Sequence, residues 1–322
     1  MKQNTYKKIL VAMIGVITLL IVALYGVSHY MLDYSLNYPK DERMTAAFWK
    51  KRLQNECPWT TSWMDSVYHH HLVKDTFIVM PSGYRAHAIY LYAPQPTLKT
   101  AIVVHGYQVR AEGMLHIAYL YNHDMGYNVL LPDLYGHGES EGDHIQMGWK
   151  DRLDVLHWIS LAPEMFGTTA DSLRLVVHGI SMGAATTMCV SGEQTPRYVK
   201  CFVEDCGYTS VWDEFSNEIS ARFSLPDFPL MYTASWVVKA KYGWGFNEAS
   251  PLKQVAKCQK PMLFIHGDND TFVPTWMVYP LYEAKPQPKA LWIAHGSKHA
   301  DAYADYKEEY TRRVVGFVEK YM

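Results

Sequence analysis

Cysteine, clustered charge and repetition are all scarce in this 322-residue chain, and each shortage removes a class of protein. The five cysteines (Cys57, Cys189, Cys201, Cys206, Cys258) are too few and too scattered for a disulfide framework, and no C-x-x-C pair suggests a zinc site. Their odd number leaves at least one thiol unpaired. Charged residues make up 19% of the chain, the formal net charge is -2, and no Lys/Arg-rich run is present to track a phosphate backbone, so no nucleic-acid partner is expected. No internal repeat or low-complexity tract is visible. What remains, 49% apolar and 14% aromatic, is the composition of an ordinary globular protein, long enough for one large α/β domain with extensions. A neutral or small organic substrate suits this charge balance.

One long apolar run departs from that composition. Ile9 to Val27 carries no charge and is long enough to cross a ~30 Å hydrocarbon core, with Tyr25 and Tyr30 placed as interfacial aromatics. No small-x-small cleavage site and no lipid-accepting cysteine follow it, which favours an uncleaved anchor over export after signal cleavage. Lys2, Lys7 and Lys8 precede the run and only Lys40 and Arg43 follow closely, so the positive-inside rule puts the N-terminus in the cytoplasm and the bulk of the chain on the non-cytoplasmic side. The expected organisation is a membrane anchor at 1–30, a connecting helical arm at 31–75, and a catalytic domain at 76–322.

Within that domain, Thr76 to Pro81 and Arg85 to Pro94 read as a hairpin of half-buried strands. From Thr100 onward, TAIVVHG, NVLLPD, LRLVVHG, VKCFVEDCG, PMLFIHG and KALWIAH are short β-rich runs without strict alternation, as strands buried on both faces of a parallel sheet require. Helical patterns lie between most of them, at Glu112 to Met125, Met147 to Leu161, Ser181 to Ser191, Thr275 to Glu283 and Ala302 to Tyr321. The fold class is therefore α/β: a mostly parallel, doubly wound sheet with a leading antiparallel hairpin. The alternation lapses once, between Tyr208 and Lys257, in a helical, aromatic-rich insert read as a cap at about 209–257. Its aromatics either select an apolar or aromatic acyl group or simply pack the helices together.

Gly179-Ile180-Ser181-Met182-Gly183 matches G-x-S-x-G, and it falls where a strand passes into a small-residue helix, the position of a nucleophile elbow. A bland serine cap on an αβ turn is the competing reading. A nucleophilic serine needs a base and an acid that orients it, following in the order Ser, Asp/Glu, His, each beyond a later strand. HGDNDTFVP offers Asp268 and Asp270, of which Asp270 lies on the loop proper; Asp205 is an outside candidate. IAHGSKHA offers His295 and His299, and His299 lies on the loop before the last helix. The backbone N–H groups of Met182, at the helix start, and Tyr107, after the strand ending in His105, are the expected oxyanion donors. His105 reads as a structural hydrogen-bonder, the Gly136-His137-Gly138 loop as structural, and His69-His70-His71 as an exposed turn.

Taken in order, HGYQ, LPDLYGHGES, HGISMGAA, HGDNDTFVP and GSKHA resemble the α/β-hydrolase superfamily from about Thr76 to the C-terminus, and within it bacterial membrane-anchored or exported serine hydrolases and, more distantly, cinnamoyl-type and monoacylglycerol-type esterases. The resemblance implies Ser181 as nucleophile, Asp270 as acid, His299 as base, and Tyr107 and Met182 as oxyanion donors, with neither cofactor nor metal. His-Gly-Ile precedes Ser181 where many relatives carry Gly-His, a departure that bears on substrate rather than on the elbow. The expected function is hydrolysis of small-molecule carboxylic esters through an acyl-enzyme, the alternatives being a peptidase or amidase with the same triad, or an inactive binding protein on the same fold.

Overall fold

The computed structural model describes residues 2–39, 41 and 44–322. Of the charges used to orient the apolar run, Lys40 and Arg43 lie outside the described residues, as does the Lys2 side chain. The chain opens with helix α1 (Lys2–Leu36), α2 (Ala46–Glu56) and α3 (Thr61–His69), then strands β1 (Lys74–Val79), β2 (Arg85–Leu91) and β3 (Lys99–Val104). Helix α4 (Leu115–Tyr119), β4 (Asn128–Pro132), α5 (Asp151–Met165), β5 (Arg174–Ile180), α6 (Met182–Ser191) and β6 (Val199–Asp205) follow. Then come α7 (Val211–Phe223), α8 (Leu230–Tyr242), α9 (Pro251–Val255), β7 (Met262–Gly267), α10 (Val278–Ala284), β8 (Lys289–Ala294), α11 (Ala302–Asp305) and α12 (Lys307–Tyr321).

The strands form one sheet in the order β1-β2-β4-β3-β5-β6-β7-β8, antiparallel through β1, β2 and β4 and parallel from there on. Both faces are covered, which is why the strand sequences do not alternate. Ile102, Val104, Leu130 and Val177 belong to the core beneath α5, α6 and the insert, whereas their neighbours Ala101, Val103, Val129 and Val176 belong to the core beneath α3 and α12. The strand order reverses beside β3, since β4 lies to one side of it and β5 to the other. The crevice beyond the carboxyl ends of β3 and β5 is thus the switch point where open α/β sheets build their sites.

Some elements differ from the sequence reading. The helix expected over Glu112 to Met125 is a composite: a 3-10 turn, the short α4 and a π turn at Leu120–Asp124. Helix α5 starts only at Asp151, because Met147 and Gly148 both take positive φ. The final helix is broken at Tyr306, whose φ of -132° and ψ of 50° are not helical. All five cysteines are buried free thiols.

Helix α1 continues unbroken past residue 30 to Leu36, and its last turns are packed into the fold. Leu32 and Leu36 join the main core, Ser28 Oγ donates to Thr233 Oγ1 of α8 at 2.9 Å, and the Leu36 carbonyl accepts from Ile145 N at 2.6 Å. From Ile9 to Val22, by contrast, the helix is exposed all round. Leu36→Ala removes a fully buried side chain at a cost of about 2–5 kcal/mol. In calorimetry of the full chain in detergent it should lower Tm by at least about 4 °C, while Leu20→Ala on the exposed run leaves Tm unchanged.

Candidate active site

Ser181 sits between the last residue of β5 and the first of α6 with φ 57° and ψ -120°, a backbone conformation that costs a non-glycine residue about 1–3 kcal/mol. Two close approaches impose it. A Cβ on Gly183 would fall 2.1 Å from the Val104 carbonyl oxygen of β3, and one on Gly179 would fall 2.0 Å from the Gly183 carbonyl oxygen. The Ser181 N–H is held by the Asp205 carbonyl of β6 at 2.8 Å. Gln108 after β3, Cys206 after β6 and Ala300 beside His299 also take positive φ, of 55°, 53° and 61°. Strained backbone therefore gathers around one point at the carboxyl edge of the sheet.

His299, on the loop after β8, bridges Ser181 and Asp270. Its Nδ1 lies 2.7 Å from Asp270 Oδ2 and its Nε2 lies 2.8 Å from Ser181 Oγ. A carboxylate only accepts, so Nδ1 carries the proton and Nε2 is left to accept from the serine hydroxyl. The Asp270 side chain is fully buried, and its Oδ1 accepts from the N–H groups of Phe272 and Val273 at 3.0 Å each. Burial works to raise its pKa, but hydrogen bonds from the neighbouring His266 and His299 outweigh that and hold the carboxyl below its ordinary range. The other candidates go elsewhere. Asp268 and His295 pair with each other at 2.6 Å at the surface. Asp205 accepts from Tyr310 OH at 2.9 Å, and burial raises its pKa to about 6.

Tyr107 lies on the loop after β3, and Met182 opens α6, whose leading N–H groups lack partners within the helix. Gly106 brings the Tyr107 backbone close, since a Cβ on it would lie 3.4 Å from Ser181 Cβ. His105 is buried, with Nε2 accepting from Leu134 N at 2.9 Å and Nδ1 donating to the Gly106 carbonyl at 2.8 Å, so it braces two loops. His137 is likewise buried, its pKa pushed down to about 3 by burial, and bonds the Tyr135 carbonyl. His69, His70 and His71 are exposed at the end of α3.

Cys206, Asp270 and His299 are the one group placed to hold a metal among the described residues, their donor atoms lying within 4.8 Å of one another. Both His299 nitrogens are already engaged, so coordination there would break its contact with either Asp270 or Ser181.

Two cavities of about 560 Å³ each meet at Ser181. One lies under α7 and α8, and its wall includes Met31, Leu32 and Ser35 at the end of α1; Tyr107 OH donates to the Ser35 carbonyl at 2.7 Å. The other lies against α2 and includes His299. Sequence reasoning missed both walls. It also missed Glu214, a buried cavity residue whose Oε2 has no partner and whose pKa burial raises well above the ordinary range. The one available signal was the Leu32/Leu36 spacing, which marks a buried stripe beyond the apolar run.

A mostly parallel α/β sheet carrying this serine elbow at its switch point makes the chain a serine hydrolase of the α/β-hydrolase superfamily. Residues 114–322 match the prolyl oligopeptidase family, and the chain belongs to that family. The uncharacterized protein YqkD of Bacillus subtilis is 31% identical over 248 residues, 77% of this chain and 80% of that one. Among solved structures, a Pyrococcus furiosus esterase superposes with a TM-score of 0.63 at 23% identity, covering 78% of this chain and 91% of its own. A puromycin-hydrolyzing peptidase of Mycobacterium tuberculosis gives 0.60 at 20% identity, covering 77% and 39%.

The tight elbow is itself testable. Gly183→Ala forces the Val104 carbonyl away, an overpacking cost of about 1–3 kcal/mol. It should lower Tm and slow covalent labelling by a fluorophosphonate at least tenfold; labelling at the unaltered rate contradicts the geometry.

Proposed function

We propose that the protein hydrolyses carboxylic esters through an acyl-enzyme, and the carrying observation is the His299 bridge between Ser181 Oγ and the buried Asp270 carboxylate. His299 Nε2 takes the serine proton as Oγ bonds to the ester carbon. Negative charge on the carbonyl oxygen meets the N–H groups of Tyr107 and Met182, each such donor being worth roughly a hundred- to a thousandfold in rate. His299 then returns the proton to the departing alcohol as the acyl–oxygen bond breaks. A water deprotonated by the same nitrogen attacks the acyl carbon, and the bond to Ser181 Oγ breaks as His299 returns that proton to Oγ, freeing the acid. Asp270 stays ionised throughout, fixing the imidazole tautomer and stabilising the imidazolium.

Ester cleavage is preferred because apolar side chains of α1, α7 and α8 dominate the cavity beside Ser181, whereas a peptide needs partners for its own amide groups. Peptide or amide cleavage is the second reading, favoured by the family match to residues 114–322. In this reading the apolar part of α1, Ile9 to Val27, anchors the chain, while the last turns of α1 and helix α2 wall the cavities of the catalytic unit, whose cap spans about 209–257. The anchor places that unit on the non-cytoplasmic side, where protease added to intact cells should digest it; full protection contradicts the orientation.

A fluorophosphonate probe should label the wild type and not Ser181→Ala, and folded protein that resists labelling overturns the enzyme reading. Asp270→Asn should lower kcat by roughly 10³–10⁴-fold, and Asp268→Asn by less than threefold. Comparing matched ester and amide substrates of one acyl group separates the two readings.

A further inference from the structure

The two cavities at Ser181 are not equivalent. Ser181, Tyr107, Gln108 and Phe272 line both, but His299 lines only the cavity against α2. That imidazole must hand its proton to the departing alcohol, so the alcohol half of the substrate belongs on the α2 side, where Arg52, Glu56 and Asp301 supply polar wall. The acyl half is left with the cavity between the end of α1 and the cap helices. Met31 and Leu32 form one wall there, and Leu230, Met231 and Ala234 of α8 the other. Little free charge faces that space. Arg222 is paired with Glu218 at 2.5 Å, and burial raises the pKa of Glu214 well above the ordinary carboxylate range, which favours its uncharged form.

The helix that walls this cavity also carries the apolar run. From Ile9 to Val22 it is exposed, and the Ser28–Thr233 hydrogen bond fixes α8 beside it just where that run ends. At this level Tyr25 and Tyr30 of α1 are exposed, and so are Phe228, Tyr232 and Trp236 of the cap, at 72%, 59% and 65%. Tyr232 and Trp236 lie four apart on α8, Phe228 lies just before its first turn, and Met231, Val237 and Val238 of the helix are buried, so this end of the cap turns its aromatics outward beside the apolar helix. Aromatic side chains with one apolar and one wet end collect at membrane–water boundaries.

We propose that the cap docks on the lipid bilayer through this aromatic stripe, and that the cavity between α1 and α8 receives the acyl tail of an ester dissolved in that bilayer. The substrate class is a single-chain amphiphile whose polar alcohol half points toward α2. The inference rests on the ester-hydrolase reading above.

The test uses the full chain reconstituted in phosphatidylcholine vesicles, with p-nitrophenyl acetate, octanoate and palmitate as substrates. The longer esters should exceed the acetate at least tenfold in kcat/KM, and Ala234→Phe, which fills the acyl wall, should lower the palmitate-to-acetate ratio at least tenfold. The combined Phe228→Ser, Tyr232→Ser and Trp236→Ser variant should raise KM for vesicle-borne palmitate at least fivefold and leave acetate hydrolysis unchanged. Equal rates across chain lengths, or a surface variant matching wild type on palmitate, overturn the proposal. If Ser181 is labelled by fluorophosphonate in either of those cases, the hydrolase reading stands and only this inference falls; an unlabelled folded protein removes both.

Discussion

The Ser181 N–H donates to the Asp205 carbonyl on β6, while Gly183, two residues on, rests against the carbonyl oxygens of Val104 and His105 at the end of β3. Three parallel strands thus converge on one turn, and the serine has no relaxed backbone conformation open to it. The strain of about 1–3 kcal/mol persists because the surroundings over-determine it. Behind the turn the Asp205 carboxylate accepts from Tyr310 OH, which in turn meets His178 Nε2 at 3.0 Å, while His178 Nδ1 meets Tyr121 OH at 3.1 Å. Burial holds His178 neutral, with its pKa lowered to about 3, so the network ties β5, β6 and α12 without placing a second cation near the site. A hydroxyl carried on so fixed a turn loses little entropy in meeting His299 Nε2.

The same economy separates the two histidine–carboxylate pairs at this edge of the sheet. Asp268 with His295 and Asp270 with His299 are chemically identical couples two and four residues apart in sequence. The first is in water, with His295 almost wholly exposed, so its attraction is screened. The second is dry at the carboxylate, where two backbone N–H groups and two imidazoles replace the lost water. A charge fixed in low dielectric orients its partner far more firmly than one in solvent. Burial, more than residue type, therefore distinguishes the Asp270–His299 pair from the surface ion pair Asp268–His295.

That distinction also marks how far the sequence could be read. The order of strands and the loops that follow them are dictated by local pattern and by the fixed hand of βα crossovers. The meeting of Ser181, Asp270 and His299 was accordingly legible from where each falls after its strand. Breaks inside helices were not. The π turn at Leu120 and the interruption at Tyr306 depend on what packs against them, and no period in the sequence records that. Least legible was Glu214, an acidic residue on an amphipathic helix that reads as solvated until the cavity beneath α7 is known.

The largest difference concerns where the apolar segment ends. A boundary at residue 30 treats anchor and enzyme as separable modules, yet Leu32 and Leu36 are core residues on the same continuous helix as the exposed run. Six residues, 31–36, form fewer than two turns, too few to remain helical alone in water. The wall they contribute beside Ser181 therefore depends on the helix continuing N-terminally through the Ser28–Thr233 contact. Losing the apolar segment at that boundary would remove the support of one side of the cavity, whereas an intact α1 carries the wall and the apolar surface as one rigid element. The exposed apolar run and the cavity wall share a backbone, so under the proposed anchoring the depth of the run in a bilayer would set the height of the cavity above it.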